Sequence, residues 1–394
     1  MPTDRRQAQA KDPVIVGLSG GVDSAVTAAL LQEQGFAVHA VFMVNWDQDD
    51  SLCTSRQDYR DAQAVADTLG IPLSQVNFAD VYWDRVFSHF LSELEQGRTP
   101  NPDILCNREV KFRAFLDHAI HTMQAPWVAT GHYARVDHSP PHASHLLQAA
   151  DSNKDQTYFL HAISQQALNH TLFPLGDLAK DEVRRIAQKR GLHNHSKRDS
   201  TGICFIGEGK FREFLQRYLP HQPGDIVDSK ENIIGQHQGL MYYTLGQRKG
   251  LGIGGISGNT HSPWFVLAKK RSSNQLIVGQ EADIDCLYSD HVQLESGHWF
   301  CQPDDIAQDT LTGGSTPLHA RIRHRGPLEP CHIQRTANGA WQVNFQSPVR
   351  AATPGQSLVL YHNERCLGGA VINNVSAISK ISLMQEEQPF DVQS

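Results

Sequence analysis

Three places in the chain hold residue types that can do chemistry. Residues 19–24, "SGGVDS", set two hydroxyls and a carboxylate around two adjacent glycines. Residues 101–108, "NPDILCNR", place Asp103 three positions before Cys106, with Arg108 and Lys111 just beyond. Residues 199–207, "DSTGICFIG", carry a second thiol, Cys204, behind the basic lead-in Ser196, Lys197 and Arg198. Gly20 and Gly21 let the backbone approach a ligand without a Cβ in the way. Free N–H groups at a helix start bind anions, Ser19 and Ser24 add hydroxyl donors, and Asp23 can hold a metal ion against a phosphate. Together these describe a phosphate loop that grips with amides and hydroxyls. It is not a Walker A loop, because no lysine follows the second glycine. A tight strand-to-helix turn with a serine cap is the plain alternative.

The thiols read differently. Thr99, Pro100, Asn101 and Pro102 end one helix. A new helix is expected just after Cys106, with Phe112, Phe115 and Leu116 inward. A thiol at a helix N-terminus is favoured as thiolate, and Arg108 and Lys111 push the same way. Cys204, between Gly202 and Phe205, fits a strand residue as well as a reactive thiol. The other five of the seven cysteines read as structural, and no C-x-x-C occurs, against a zinc ribbon or iron–sulfur site.

The elements that position these residues are legible from patterning. Val14, Ile15 and Val16 form a fully buried strand running through Gly17 and Leu18. Residues 25–34 make a helix closed by Gly35, so "SGGVDS" is the turn at the carboxyl edge of a strand, where open α/β sheets bind ligands. Strands are expected at 37–44, 71–78 and 125–136, and helices at 59–70 and 81–97. Alternating βαβα units predict an α/β fold, a doubly wound parallel sheet, over about 200 residues. From about 175 to 220 the chain is helical and basic, with Phe211, Phe214, Leu215 and Tyr218 on an inward face. Past about 280, short alternating strands predict a β-barrel. "GLGIGG" (250–255) matches a dinucleotide pattern, but no helix follows and it reads as a glycine loop.

Composition bounds the rest. A chain of 394 residues exceeds one ordinary core. Hydrophobic content of 40% with 20% charged residues suits a globular protein. A net charge of -7 argues against a bulk nucleic-acid coat protein but permits a local basic face, in which Arg184, Arg185, Lys189, Lys197 and Arg323 would form a phosphate-facing surface. Residues 1–13 lack the apolar core of a signal peptide, and no run is long enough to span a bilayer, so no membrane partner is expected. An odd cysteine count then predicts a reducing cytoplasm, where any disulfide is transient.

The hexapeptide resembles the pyrophosphate loop of ATP-pyrophosphatases, which adenylate an oxygen and release pyrophosphate. The longer stretches "GLSGGVDS", "GRTPNPDILCN", "ATGHYARV", "DSNKDQTYFL", "DSTGICFIG", "GLMYYTLGQRKGLGIGG" and "TPGQSLVLY" resemble the tRNA-specific 2-thiouridylases over about residues 13–372. The resemblance implies three parts: a catalytic domain (1–210), a small central tRNA-contacting domain (211–280) and a C-terminal β-barrel (281–394). It implies ATP with Mg2+, and thiolation of the wobble uridine of a tRNA anticodon arm at C2. Carried over by position, Gly17, Leu18, Ser19, Gly20, Gly21, Val22, Asp23, Ser24, Met43 and Gly131 would hold ATP. Asn101, Pro102 and Asp103 would face the target base, with Asp103 as acid or base. Lys154, Asp155 and Gln156 would contact tRNA. Cys204 would carry a persulfide from a sulfur-relay protein or cysteine desulfurase. Cys106 would release sulfide or attack the persulfide and end disulfide-linked to Cys204. In the barrel Arg323 and His324 would also contact tRNA; the family usually shows Arg-Tyr there, and His would replace the stacking or hydrogen bonding of Tyr. No separate protein-held metal site is implied, and action as a monomer is expected. Residues 137–146, "DHSPPHASHL", suggest no function. A rival reading is an amidotransferase-like enzyme adenylating a small metabolite, which would not need two thiols. A non-enzymatic tRNA-binding module would not need the loop.

Overall fold

The computed structural model describes residues 9–46, 55–139, 143–198, 211–253, 262–302, 304–306 and 318–378, without the side chain of Phe211. Cys204, Gly254 and Gly255 lie outside the described residues.

The chain opens with β1 (Pro13–Gly17), α1 (Val22–Glu33), β2 (Ala37–Val44), α2 (Ser55–Leu69) and β3 (Leu73–Asn77). Val14, Ile15 and Val16 are at most 2% exposed, as a strand covered on both faces requires. A continuous helix, α3, runs through Ala79–Tyr82, Trp83–Phe87 and Ser88–Glu95. A second, α4, runs through Pro102–Leu105, Cys106–Ala114, Phe115–Asp117 and His118–Thr122. It begins before Cys106 rather than after it. Asn101 caps it, its side-chain oxygen accepting from the Asp103 N–H at 3.1 Å, and Pro102 takes the first turn, where its missing N–H costs nothing.

The expected strand at 125–136 is divided. β4 (Trp127–Ala129) ends at Thr130, and the chain leaves the sheet through Gly131 and His132 to begin β5 (Arg135–Asp137), which pairs with β6 (His145–Leu147). With β7 (Thr171–Leu172), the first sheet has the order β3-β2-β1-β4-β7, parallel at each pairing. The order reverses between β1 and β4, so a crevice opens beyond their carboxyl ends. Helix α5 (Lys180–Lys189) packs on α1.

The central part is a four-stranded sheet of β8 (Gly224–Val227), β9 (Ile233–His237), β10 (Phe265–Lys270) and β11 (Gln275–Gly279). Before it, Phe214 and Leu215 are buried and Tyr218 half-buried against Trp46, Trp83 and Phe87, an aromatic seam joining this region to the first sheet's helices. The last part comprises β12 (Tyr288–Trp299), β13 (Leu318–Arg321), β14 (Glu329–Arg335), β15 (Trp341–Arg350), β16 (Ser357–His362) and β17 (Arg365–Ala377). Their order is β12-β15-β14-β13-β16-β17, and β12 also pairs with β17, closing a six-stranded barrel. Closure removes the free edges that would otherwise pair with other chains. The β5–β6 hairpin docks on this barrel, Arg365 pairing with Leu147. The ends of the stretch with no apparent role are thus a bridge between domains.

Candidate active site

The phosphate loop follows β1 at the crevice. The Ser19 N–H donates to Ser24 Oγ at 3.2 Å, the Ser24 hydroxyl donates to the Gly21 carbonyl at 3.1 Å, and the two hydroxyls lie 3.2 Å apart. The N-cap of α1 is Gly21, with no side-chain cap, so Ser24 ties the loop together instead of capping the helix as a serine cap would. Gly20 has φ +77°, and a Cβ there would lie 2.3 Å from the Asp58 carbonyl. A Cβ at Gly131 would lie 2.6 Å from the Ser24 nitrogen. Both glycines are therefore required by close backbone approach. Gly20 faces α2, while the other loop residues face the crevice.

Two lysines from distant sequence fix this loop. Lys180 Nζ is 2.8 Å from both carboxylate oxygens of Asp23, which also accepts from the Tyr133 hydroxyl at 2.9 Å. Lys197 Nζ reaches Asp58 at 2.9 Å, Asp61 at 2.6 Å and the Gly20 carbonyl at 3.4 Å. Asn194 donates to the same carbonyl at 3.0 Å. Burial opposes charge on Lys197, but the bonds and charges of Asp61 and Asp58 raise its pKa overall. Burial likewise opposes charge on Asp61, yet Lys197 and Gln57 hold its carboxyl below the usual range. The basic run is thus partly spent inside the fold: Lys180 and Lys197 brace the loop, and Arg184 donates to the carbonyls of His195 and Lys197. Arg185 and Lys189 remain on the surface.

A cleft of about 550 Å³ opens here. Of the residues singled out in the sequence, Gly17, Leu18, Ser19, Gly21, Val22, Asp23, Ser24, Met43 and Gly131 line it, as do Asp103, Lys154, Gln156 and His324. Asp103, Asn107 and Lys111, at i, i+4 and i+8 of α4, present one face to it. His132 stands opposite, buried, with Nδ1 2.7 Å from Thr130 Oγ1. Burial, then the Lys111 charge, holds its pKa well below the ordinary imidazole value, so it is neutral near pH 7. Asn107 donates to the Phe159 carbonyl at 3.1 Å.

Three expectations change. Asp155 is only 2% exposed: it takes Arg321 of the barrel at 2.8 Å and the Thr157 hydroxyl, so it joins domains rather than meeting a ligand at the surface. Cys106 is 2% exposed and belongs to the apolar core, in the second turn of α4, instead of a polar and basic surround. Arg108 is turned to Glu109, 2.8 Å away. Lys197, read as part of a phosphate-facing surface, is committed to Asp58 and Asp61.

The barrel closes the cleft. The His324 ring packs on Phe159 with centroids 4.4 Å apart. Burial first, then Arg325 and Arg321, lowers its pKa to about 4. Arg325, at φ +59°, lines the cleft beside it, while Arg323 points to solvent. Sequence reasoning missed Asn107, His132, Tyr133, Phe159 and Arg325 as cleft residues. The helical spacing from Asp103 could have found Asn107; no local signal marks the others. No group of three His, Cys, Asp or Glu side chains able to hold a metal occurs among the described residues. Magnesium needs only one or two protein carboxylates when phosphates complete its shell, and Asp23 is the loop carboxylate that fits.

Three family models match the chain in succession: a tRNA methyl transferase HUP domain over 12–208, a tRNA methyl transferase PRC-barrel domain over 212–280, and an aminomethyltransferase β-barrel domain over 289–372. The chain is 53% identical to the tRNA-specific 2-thiouridylase MnmA of Alcanivorax borkumensis, over 92% of this chain and 98% of that one. It is 51% identical to the protein of the same name from Acinetobacter baumannii strain SDF, over 92% and 97%. Among solved structures, a U34-tRNA thiolase, NcsA, of Methanococcus maripaludis is similar at 20% identity and TM-score 0.33, over 54% of this chain and 68% of that one.

Proposed function

Because the chain belongs to the tRNA-specific 2-thiouridylase family, we infer that its cleft is where the wobble uridine of tRNA is thiolated at C2 at the expense of ATP. One observation carries this reading: the phosphate loop and the Asp103 end of α4 line the same cleft at the reversal point of the sheet.

The loop amides, Ser19 and Ser24 would receive the phosphates of ATP, and Met43 and Gly131 would flank the nucleotide. When bound, Mg2+ supplies charge neutralisation at the phosphates. Asp23 is its expected protein ligand, and Lys180 would have to yield one carboxylate oxygen to it. Uridine O2 attacks the α-phosphorus and pyrophosphate leaves, so a poor leaving oxygen becomes a good one. The target base must be unstacked to reach this depth. Asp103, placed by the Asn101 cap and Pro102, would face it as general acid or base. Lys154, Gln156, Arg323 and His324 would contact the tRNA.

Sulfur then replaces oxygen at C2 and AMP departs. The sulfur would come from a persulfide on Cys204, loaded by a relay protein or a cysteine desulfurase. Cys106 would either reduce that persulfide to free sulfide or assist attack by its terminal sulfur, and a 106–204 disulfide closes the turn of the cycle. The reading fits a monomer in a reducing cytoplasm. Cys286, Cys301, Cys331 and Cys366 are free thiols, and no described helix is long and apolar enough to cross a membrane. Mass spectrometry of tRNA from cells lacking the protein tests it: 2-thiouridine should vanish and return with the gene. Undiminished 2-thiouridine would overturn the assignment.

A further inference from the structure

Residues 95–99 join α3 to the turn that begins α4, and all three parts of the molecule meet on them. From the central sheet, Lys269 Nζ donates to the Gly97 carbonyl at 3.0 Å and Arg271 to the Glu95 carbonyl at 3.3 Å. From the barrel, the Pro354 carbonyl accepts from the Thr99 N–H at 3.1 Å, and Gln356 donates to the Thr99 carbonyl. Gly355, at φ +91°, presses so close that a Cβ would lie 2.8 Å from the Thr99 nitrogen.

Arg98 sits at the centre, 5% exposed. Its guanidinium is 2.9 Å from Glu93 of α3 and 2.6 Å from Glu295 of β12, and it donates to the Ile372 carbonyl of β17 at 3.5 Å. A buried guanidinium so shared has one rigid planar arrangement, which a lysine cannot copy. Three residues on, Asn101 caps α4 and orients Asp103 toward the cleft. A displacement of the barrel against α3 therefore moves the start of α4 with it.

We propose that Arg98 is a positioning residue that ties the seating of the barrel to the placement of Asn101, Pro102 and Asp103 at the target base. This rests on the thiolation reading for its consequence in turnover, not for its geometry. When tRNA spans the barrel and the catalytic domain, the Arg98 bridge fixes the register in which Asp103 meets the base. Misplacement by about 1 Å at a reacting centre costs on the order of a hundredfold in rate.

The test uses the full chain and two variants, Glu295→Gln and Arg98→Lys; Glu295 is partly exposed, so its replacement leaves the fold intact. Arg335→Gln, which removes the exposed Arg335–Asp304 pair and the contacts of Arg335 with the Trp341 ring and the Gly339 carbonyl, none of them at the junction, serves as control. Two readouts are taken. The first is the rate at which iodoacetamide alkylates Cys106, located by peptide mass. The second is kcat and KM for tRNA in pyrophosphate release. In both variants we expect alkylation several-fold faster and kcat down about tenfold or more, with KM for tRNA within about threefold. The control should match wild type. Wild-type alkylation and kcat in folded Glu295→Gln would overturn the proposal, as would a loss confined to KM. If the wild-type protein released no pyrophosphate with tRNA, the thiolation reading would fall, and the alkylation arm would still decide the junction.

Discussion

Lys180 and Asp23 are 157 residues apart in sequence, and the ammonium of one lies 2.8 Å from both carboxylate oxygens of the other. The pair stands at the mouth of the phosphate loop, with Tyr133 as a third partner. An anion and its counter-ion are thus stored together where a polyphosphate and its metal would arrive. Asp23→Ala should lower pyrophosphate release by about a hundredfold or more, since charge neutralisation there is worth several kcal/mol. Affinity for tRNA should be little changed. In a double-mutant cycle with Lys180→Ala, thermal stability should show a coupling of about 1–3 kcal/mol. Purely additive losses would mean the pair does not brace the loop.

Gly20 and Gly21 look alike in sequence and differ in kind. Gly20→Ala places a Cβ against the Asp58 carbonyl in a left-handed backbone, and should cost about 1–3 kcal/mol or more of stability. Gly21 has φ −83°, and its added Cβ meets nothing closer than Ser19 Oγ at 3.4 Å. Gly21→Ala should therefore stay within about 1 kcal/mol of wild type. Denaturant melts of both variants check this, and equal losses would contradict the loop geometry.

Acid should loosen the seam between the catalytic domain and the barrel. His161 is buried with its ring against Gly369 of β17, and burial lowers both His161 and His324 from an ordinary 6.5 to about 4. Unfolding lets each take up a proton in that interval, so their contribution is complete above 6.5 and is lost as pH falls toward 4. The melting temperature should drop between about pH 7.5 and pH 5, and His324→Tyr should shrink that drop. His324→Tyr, which keeps an aromatic ring against Phe159, should also keep thiolation. An identical pH dependence in the variant would rule out His324 as a contributor.

Salt should weaken tRNA binding steeply despite the net charge of -7. Lys189→Gln, on the surface, should lower the logarithmic salt slope by about one. Lys197→Gln should leave the slope nearly unchanged and impair pyrophosphate release instead, because its charge is used on Asp58 and Asp61. Binding titrations at several ionic strengths separate the two. A flat salt dependence in wild type would count against a nucleic-acid substrate.

The thiols give a covalent readout. Cys204→Ser should adenylate uridine but accept no sulfur, and Cys106→Ser should accept sulfur and stall before product. With a persulfide donor and no reductant, one equivalent of product should accompany one 106–204 disulfide, seen by non-reducing peptide mapping. The two thiols are 98 positions apart in sequence, and a disulfide needs Cα atoms roughly 4.4–6.8 Å apart, so the segments that carry them must meet during the cycle. Multiple turnover in either variant would sink the scheme.

By itself the sequence determined the elements and the loop. A β-branched run, a glycine turn and an Ala- and Leu-rich helix are local choices, and period-2 patterning past residue 280 is local too. Nearest-neighbour stereochemistry decides them, so β1, α1 and the barrel strands were legible, and the long motifs carried the family. Tertiary structure alone decided the partners of the charges. Whether Lys197 faces phosphate or Asp58, whether Asp155 faces tRNA or Arg321, and whether Cys106 is wet or buried depend on residues more than 40 positions away. The break after Ala129 is of the same kind: a local pattern continues the strand, but Gly131 must leave it to let β4 abut the start of α1. Such contacts arise from how sheets and barrel pack, and packing brings together segments that no sequence window contains.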